Sequence, residues 1–434
     1  MSKVLLKFPN RPVPRPYVTR ASGLYLHLEG GRRLMDISGG WTHHATLGYS
    51  HPEVLAAMQE QLGRFTHIDY DMWRNRDHDE LAEILLSQAP NGLDLVYFCG
   101  NSGSEATEAA MKLSYQTHYD QGKRDKQWVI SRDQSYHGAT LQSMAISERD
   151  ILDFYSPLFP EKRARIAQHN PSLLRHPLET PEAYGERSAQ DLEQKILELG
   201  ADKVFAFIAE TQLGALIGDV PPAPGYWRKI REICDRHDVH LILDEVYCGL
   251  GRSGKIYNCS WDGITPDFVC LGKTLASGYA PLSAVVTKRA FIDAIGRGQG
   301  RVQHGHTHQG YGLGTAAALA VQKIVHRPET LANVSAISAH MTGRLQAELG
   351  DHPFFFDLRG RGLAFALEYR CRDRPAFGAA IQQAMEDRFD IVISAKWHRI
   401  SFTPPFTITR AEADQTIDAL VAVFKDTADR WPSH

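Results

Sequence analysis

An α/β fold built on a mostly parallel sheet is what this 434-residue sequence predicts. Two observations point there. Short apolar runs of strand length recur through the middle of the chain, and helix-like stretches such as Tyr226–His237 separate some of them. The runs are Leu93–Cys99, Trp128–Ser131, Val204–Ala209, Val239–Leu243, Phe268–Leu271 and Leu282–Val286. This alternation is the pattern of a mostly parallel sheet with helices on both faces.

The flanking elements follow from local chemistry. Pro9, Pro12, Pro14 and Pro16 predict an extended arm, since proline fixes φ and cannot donate to a ladder. Gly30-Gly31, between GLYLHLE and RRLMDIS, predicts a hairpin. From Pro52 to Gln61 the period becomes helical, with Val54, Leu55, Met58 and Leu62 on one face. Past Leu313 the pattern changes. An Ala-rich helix, a helix over Val334–Leu349, a strand at FAFALEY and a terminal amphipathic helix from Ala411 make a second, α+β unit. The expected division is a large domain over 50–313 and a small one made from 1–49 and 314–434.

Composition narrows the function classes. Lys plus Arg number 48 against 51 Asp plus Glu, a net charge of −3, which argues against a general nucleic-acid binder. The six cysteines include no CxxC pair and read as reduced, mostly buried thiols. MSKVLLKFPNRPVPRP does not read as a signal peptide, and no stretch approaches the ~20 apolar residues of a membrane span. The expected location is cytoplasmic.

Ligands of open α/β sheets gather beyond the carboxyl ends of the strands, so those ends locate candidate chemistry. Leu93–Cys99 runs into Gly100-Asn101-Ser102-Gly103-Ser104-Glu105 and a helical ATEAAMKLSYQ. A Gly/Ser turn opening a helix offers free N–H groups and a positive dipole end to a phosphate. It fits an ordinary cap as well, with Ser102 or Ser104 as N-cap. Asp244-Glu245 follows Val239–Leu243. Acids at a buried strand end need a cation or metal partner, or serve as a cap or ion-pair member. Lys273, just past Phe268–Leu271, is either a structural cation or a lysine whose pKa burial lowers, able to form a Schiff base. Tyr136, in SYHGAT, either stacks on a planar ring or packs in the core. His304, His306 and His308, at spacing two, would share one face of a strand and could bind a metal, but no carboxylate or thiolate lies nearby in sequence to complete the shell, so no metal is expected. A phosphate cup, a stacking aromatic, a buried acid and a Schiff-base lysine on successive strand ends are together the parts that hold pyridoxal phosphate.

In these segments the sequence resembles the class III pyridoxal-phosphate aminotransferases of fold type I. GNSGSEATEAA is similar to the family's phosphate turn and SYHGAT to its aromatic segment. LILDEVYCGLGRSGKIY and PDFVCLGKTLASGYAPLSAVV are similar to its aspartate-to-lysine block, with Lys273 29 residues after Asp244. HGHTHQGYGLGTAAALA and LRGRGLAFALE also resemble family segments. The resemblance runs from GLYLHLEGG to FTPPFTITRAEAD and implies a large domain with a mostly parallel seven-stranded sheet plus a smaller α+β domain. It implies that Lys273 forms the Schiff base and shuttles the proton between substrate Cα and cofactor C4′. Asp244 then pairs with the pyridine nitrogen, Tyr136 and Val246 cover the two ring faces, and Gly103 and Ser104 hold the phosphate. Thr307 is similar to the threonine that reaches the partner subunit's phosphate, which implies a homodimer with a shared site. Glu210, in AETQLGALIGDVPP, resembles a motif glutamate near the cofactor's O3′ side or the substrate gate. Glu245 is expected to support the site, and His306 and His308 to flank Thr307.

Many members hold a substrate carboxylate with an arginine upstream of the C-terminal Pro-Pro. Here Ile393–Arg399 precedes Thr403-Pro404-Pro405 without the related Gly-Asp, leaving Arg399 or Lys396 as substitutes. The expected donor is therefore a primary amine or ω-amino acid, and the acceptor a keto acid such as pyruvate, in a ping-pong scheme. Trp41 either lines the substrate pocket or packs. The alternatives are another reaction of the same cofactor, namely decarboxylating transamination, phospho-lyase chemistry or racemisation, or a non-catalytic cofactor-binding protein.

Overall fold

Seven strands make the central sheet: β1 Leu95–Cys99, β2 Trp128–Arg132, β3 Arg163–Ile166, β4 Val204–Glu210, β5 His240–Asp244, β6 Phe268–Leu271 and β7 Ser283–Thr287. The computed structural model describes residues 16–148, 150–214 and 216–432, so Pro9, Pro12 and Pro14 of the expected arm lie outside the described residues. The spatial order is β1-β7-β6-β5-β4-β2-β3. From β6 across to β3 every pairing is parallel, whereas β7 runs antiparallel to both β1 and β6. The six apolar runs read from sequence all appear, each within two residues of its expected ends. The strand that sequence reasoning misses is β3. Its Arg163-Ala164-Arg165-Ile166 alternates charge with apolar residues because it forms a sheet edge, where arginines discourage pairing with other chains.

β4, β5 and β6 are buried along their whole length. The helix α1, Gly103–Asp120, crosses them on one face and buries Ala106, Ala109, Ala110 and Leu113. Its run of alanines lets the helix axis approach the sheet closely. The predicted N-terminal hairpin forms between Tyr25–Leu28 and Arg33–Asp36. Gly30 and Gly31 turn it at φ +89° and +88°, where other residues are strained. The last strand of that hairpin also pairs in parallel with Ile391–Val392, so the two ends of the chain share a sheet. A second, antiparallel four-stranded sheet joins Phe355–Arg361, Ala364–Tyr369, Arg399–Phe402 and Ser394–Lys396. Helices Pro328–Leu349, Arg374–Phe389 and Arg410–Asp429 pack around it.

All six cysteines are free thiols, five of them buried. Among the described residues no helix is long and apolar enough to cross a membrane.

Candidate active site at the strand ends

In the parallel register Glu210 lies opposite Asp244, and Asp244 opposite Cys270, so β4, β5 and β6 end level with one another. Two carboxylates and, two residues past β6, Lys273 thereby converge on one cavity of about 410 Å³. Tyr136, His137, Val246, Gly103 and Ser104 also line it.

Asp244 is almost fully buried and has both oxygens engaged. Oδ1 accepts the Val246 N–H at 3.0 Å and Oδ2 accepts from His137 Nδ1 at 2.8 Å. A carboxylate has no proton to give, so the imidazole donates from Nδ1, and its Nε2 is left buried without a partner. His137 is a site residue that sequence reasoning passed over, although it directly follows Tyr136. Glu210 accepts the Tyr136 N–H on Oε1 and the Gly214 N–H on Oε2, each at 3.0 Å. Burial raises its pKa, the charge of Asp244 adds to the shift, and His137, the Tyr136 N–H and Arg132 oppose it.

Lys273 takes φ +37°, outside the comfortable range of a residue with a side chain, and such strain concentrates at functional positions. Burial lowers its pKa, while Asp244 and Glu210 pull it back up. Its amine is therefore easier to deprotonate than a surface lysine, but remains close to two carboxylates.

The Gly/Ser turn opens α1 as predicted. Ser102 occupies the N-cap position, yet its side chain makes no capping bond, which leaves the helix's first N–H groups available to an anion. Two glycines keep the cradle hollow. A Cβ on Gly103 would come within 2.5 Å of Val246 Cγ1, and one on Gly138 within 2.5 Å of Ser104 Oγ. Ser104 Oγ accepts the Ala139 N–H at 3.0 Å, so its hydroxyl proton remains free to donate. An open helix N-terminus, a free hydroxyl and a buried carboxylate on the far wall fit a phosphate-bearing, protonated pyridine.

Other expected residues lie elsewhere. Thr307 is exposed and lines a different cavity, about 580 Å³, with Glu105, His306, His308 and Tyr311. His306 and His308 do flank it, and His304 Nδ1 lies 3.0 Å from Lys112 Nζ. Trp41 is 43% exposed beneath Lys396 Nζ, 5.2 Å from the ring centre, and does not line the Lys273 cavity. Its neighbours Thr42 and His44 do. The structure does not bring Arg399 to this cavity either. Its side chain is buried, and Nη1 donates to the Leu216 carbonyl at 2.8 Å. Glu245 supports the site from below, accepting the Asn258 and Cys259 N–H groups at 2.6 and 2.7 Å and the Thr211 hydroxyl at 3.0 Å.

The aminotransferase class-III family model matches residues 9–424. This chain is a class-III aminotransferase. It is 31% identical to an uncharacterized aminotransferase of Schizosaccharomyces pombe, over 96% of this chain and 94% of that one. It is 30% identical to a putrescine–pyruvate aminotransferase of Pseudomonas aeruginosa, over 92% and 88% of the two chains. The crystal structure of a Pseudomonas jessenii ω-transaminase in complex with PMP superposes with a TM-score of 0.91 at 27% identity, covering 96% of this chain and 94% of that one. The neighbours bear out fold type I, with its mainly parallel seven-stranded sheet. Membership implies pyridoxal phosphate as the cofactor of this aminotransferase, and the cradle at Gly103, Ser104 and Asp244 has the chemistry to take it.

Proposed function

We propose that this aminotransferase moves an amino group from a primary amine or ω-amino acid to a keto acid such as pyruvate, in two half-reactions of a ping-pong scheme. The observation that carries this reading is the convergence of Lys273, Asp244 and the open end of α1 on one cavity. When bound, pyridoxal phosphate supplies an electron sink for the pair released at the substrate's α-carbon.

The chain's own residues divide the remaining work. Gly103 and Ser104 hold the phosphate by backbone N–H groups and a hydroxyl, and Tyr136 and Val246 confine the ring. Asp244, oriented by His137, would hold the proton on the ring nitrogen. Glu210 fixes the backbone of Tyr136 and of Gly214, which shapes the wall beside the ring. Lys273, whose amine burial makes easier to deprotonate, would hold the cofactor through its aldehyde carbon and would carry the proton leaving the substrate's α-carbon.

The donor class rests on the substrate side of the cavity. Thr42, His44 and Gln212 line it, while Arg399 is bound to the Leu216 carbonyl instead. That wall, without Arg399, suits an amine that carries no α-carboxylate. The names of the Pseudomonas relatives, a putrescine–pyruvate aminotransferase and an ω-transaminase, agree with it. Thr307, exposed in its own cavity, would serve the partner's phosphate in a homodimer. The sheet shared by both chain ends supports a small domain from 1–49 and 314–434 beside a large one over 50–313.

The purified protein is expected to be yellow, to bleach when a donor amine is added and to regain colour with a keto acid. Repeating the bleaching with a panel of monoamines, diamines and ω-amino acids identifies the donor. Normal turnover by Lys273→Ala would overturn the assignment.

A further inference from the structure

Tyr247 lies in the turn past β5 and presents its ring to Lys273, whose Nζ is 5.0 Å from the ring centre. The phenol donates to Asp219 Oδ1 at 2.7 Å, and His43 packs edge-on against the ring at 5.2 Å. Gly214 makes room for this arrangement, because a Cβ there would come within 2.3 Å of Tyr247 Cε1. Tyr247 is therefore seated from two sides and tethered at its tip.

The tether is itself held. Asp219 is fully buried and sits at φ +55°, a conformation that persists only where the surroundings impose it. Arg399 binds the Leu216 carbonyl, and Arg359 binds those of Ile217 and Gly218 at 2.8 and 3.0 Å. Both arginines come from the antiparallel sheet, so that sheet fixes the segment from which Asp219 reaches Tyr247. Burial raises the Asp219 carboxyl to about 6, against the Tyr247 hydroxyl, Arg399, Arg359 and Gln212, which lower it.

We propose that Tyr247, tethered to Asp219, is a positioning residue for Lys273, its ring face serving as the seat of the lysine ammonium whenever that amine is not covalently tied. This rests on the reading of Lys273 as the reacting amine. An ammonium is drawn to the face of an aromatic ring, and only when it lies over that face, which is why a hydrogen bond that fixes the ring matters. The other titratable or charged groups facing Lys273 are Asp244 and Glu210 at the strand ends, Cys248 and Arg252 in the turn past β5, and His43 and His44 from the loop above. The carboxylates hold the proton on, burial and Arg252 push it off, and the ring adds an attraction that costs no further buried charge.

The test reads the titration of Lys273 in the full chain without added cofactor, from the pH dependence of its labelling by an acylating reagent, quantified by mass spectrometry. Tyr247→Phe keeps the ring and removes the tether. Trifluorophenylalanine introduced at Tyr247 has nearly the same shape but a depleted π face. The pKa of Lys273 is expected to fall slightly in Tyr247→Phe. With the fluorinated ring it falls by a further half to one unit, roughly three- to ten-fold faster labelling near neutral pH, as loss of a partly buried cation–π contact requires. An unchanged profile on fluorination overturns the proposal. Collapse of the fold in Tyr247→Phe also overturns it, by making the hydroxyl purely structural. Failure of the wider reading shows separately, as native protein that develops no visible band when pyridoxal phosphate is added.

Discussion

Gly103→Ala places one methyl group in the cradle at the mouth of α1, and the structure sets its cost. The new Cβ would meet Val246 Cγ1, Cγ2 and Cβ at 2.5, 2.8 and 3.2 Å. Ordinary carbon contacts lie near 3.5–4.0 Å, so about 1 Å must be found. Val246 cannot readily give it, because a β-branched side chain has few alternative rotamers and this one already rests close to Gly272. Overpacking of this kind costs roughly 1–3 kcal/mol. Val246 and Gly103 both line the cavity, so a Val246 that moves into it to relieve the clash must be displaced again by the cofactor, and affinity is expected to drop by up to about 5- to 150-fold. The assay is a titration of cofactor-free protein with pyridoxal phosphate, followed by visible absorbance. Gly343→Ala is the control. It lies mid-helix with nothing within 4 Å of its added Cβ, so affinity stays the same while stability rises by about 0.5–1 kcal/mol. An unchanged dissociation constant in correctly folded Gly103→Ala would refute the placement of the phosphate at this helix end.

Asp244→Asn keeps an acceptor for the Val246 N–H but cannot pair with a cation. Breaking such a buried charge pair costs on the order of 3–5 kcal/mol, so kcat/KM is expected to fall at least about a hundredfold, and a loss under tenfold would count against its role. Arg399→Ala separates two readings of that residue by steady-state kinetics and denaturant melts. Its buried contacts predict a lower unfolding midpoint with no selective rise in KM for the keto acid, whereas a selective KM effect at full stability would restore it as a carboxylate clamp. His118 of α1 and His240 of β5, stacked at 4.0 Å, are both held below the ordinary histidine pKa, mainly by burial. Because the unfolded chain takes up these protons more readily, stability is full above about pH 6.5 and is lost as pH falls below it. Urea midpoints from pH 7 to 5 check this, with a shallower decline expected in His240→Gln.

Most of the central sheet was legible because its strands are short apolar runs between helices, a pattern that burial on both faces imposes. β3 was not, since a sheet edge tolerates arginine and leaves no apolar signature. The strand-end residues Asp244, Lys273 and Gly103 were legible for a related reason. Asp244 and Lys273 each follow an apolar run with a charge that a core does not otherwise accept, and Gly103 stands in a Gly/Ser turn between a strand and a helix. His137 could have been found by the same logic, as a histidine inside a Ser-Tyr-His-Gly turn, but only the structure shows its Nδ1 meeting Asp244.

Arg399 shows where the limit lies. Its position upstream of Pro404-Pro405 invites a substrate role, and sequence register alone cannot refuse it. Direction along a strand alternates, however, and the direction Arg399 takes is set by what waits on each side. Gly218, where a Cβ would sit 2.1 Å from Arg399 Cδ, is glycine to admit that side chain. Asp219 beside it supplies the charge that makes burying the guanidinium tolerable. Gly214, Gly218, Asp219, Tyr247 and Arg399 come from three separate stretches of the chain, and none is informative alone. Their meaning is joint: they turn a position suggestive of substrate binding into part of the scaffold that steadies the wall beside Lys273.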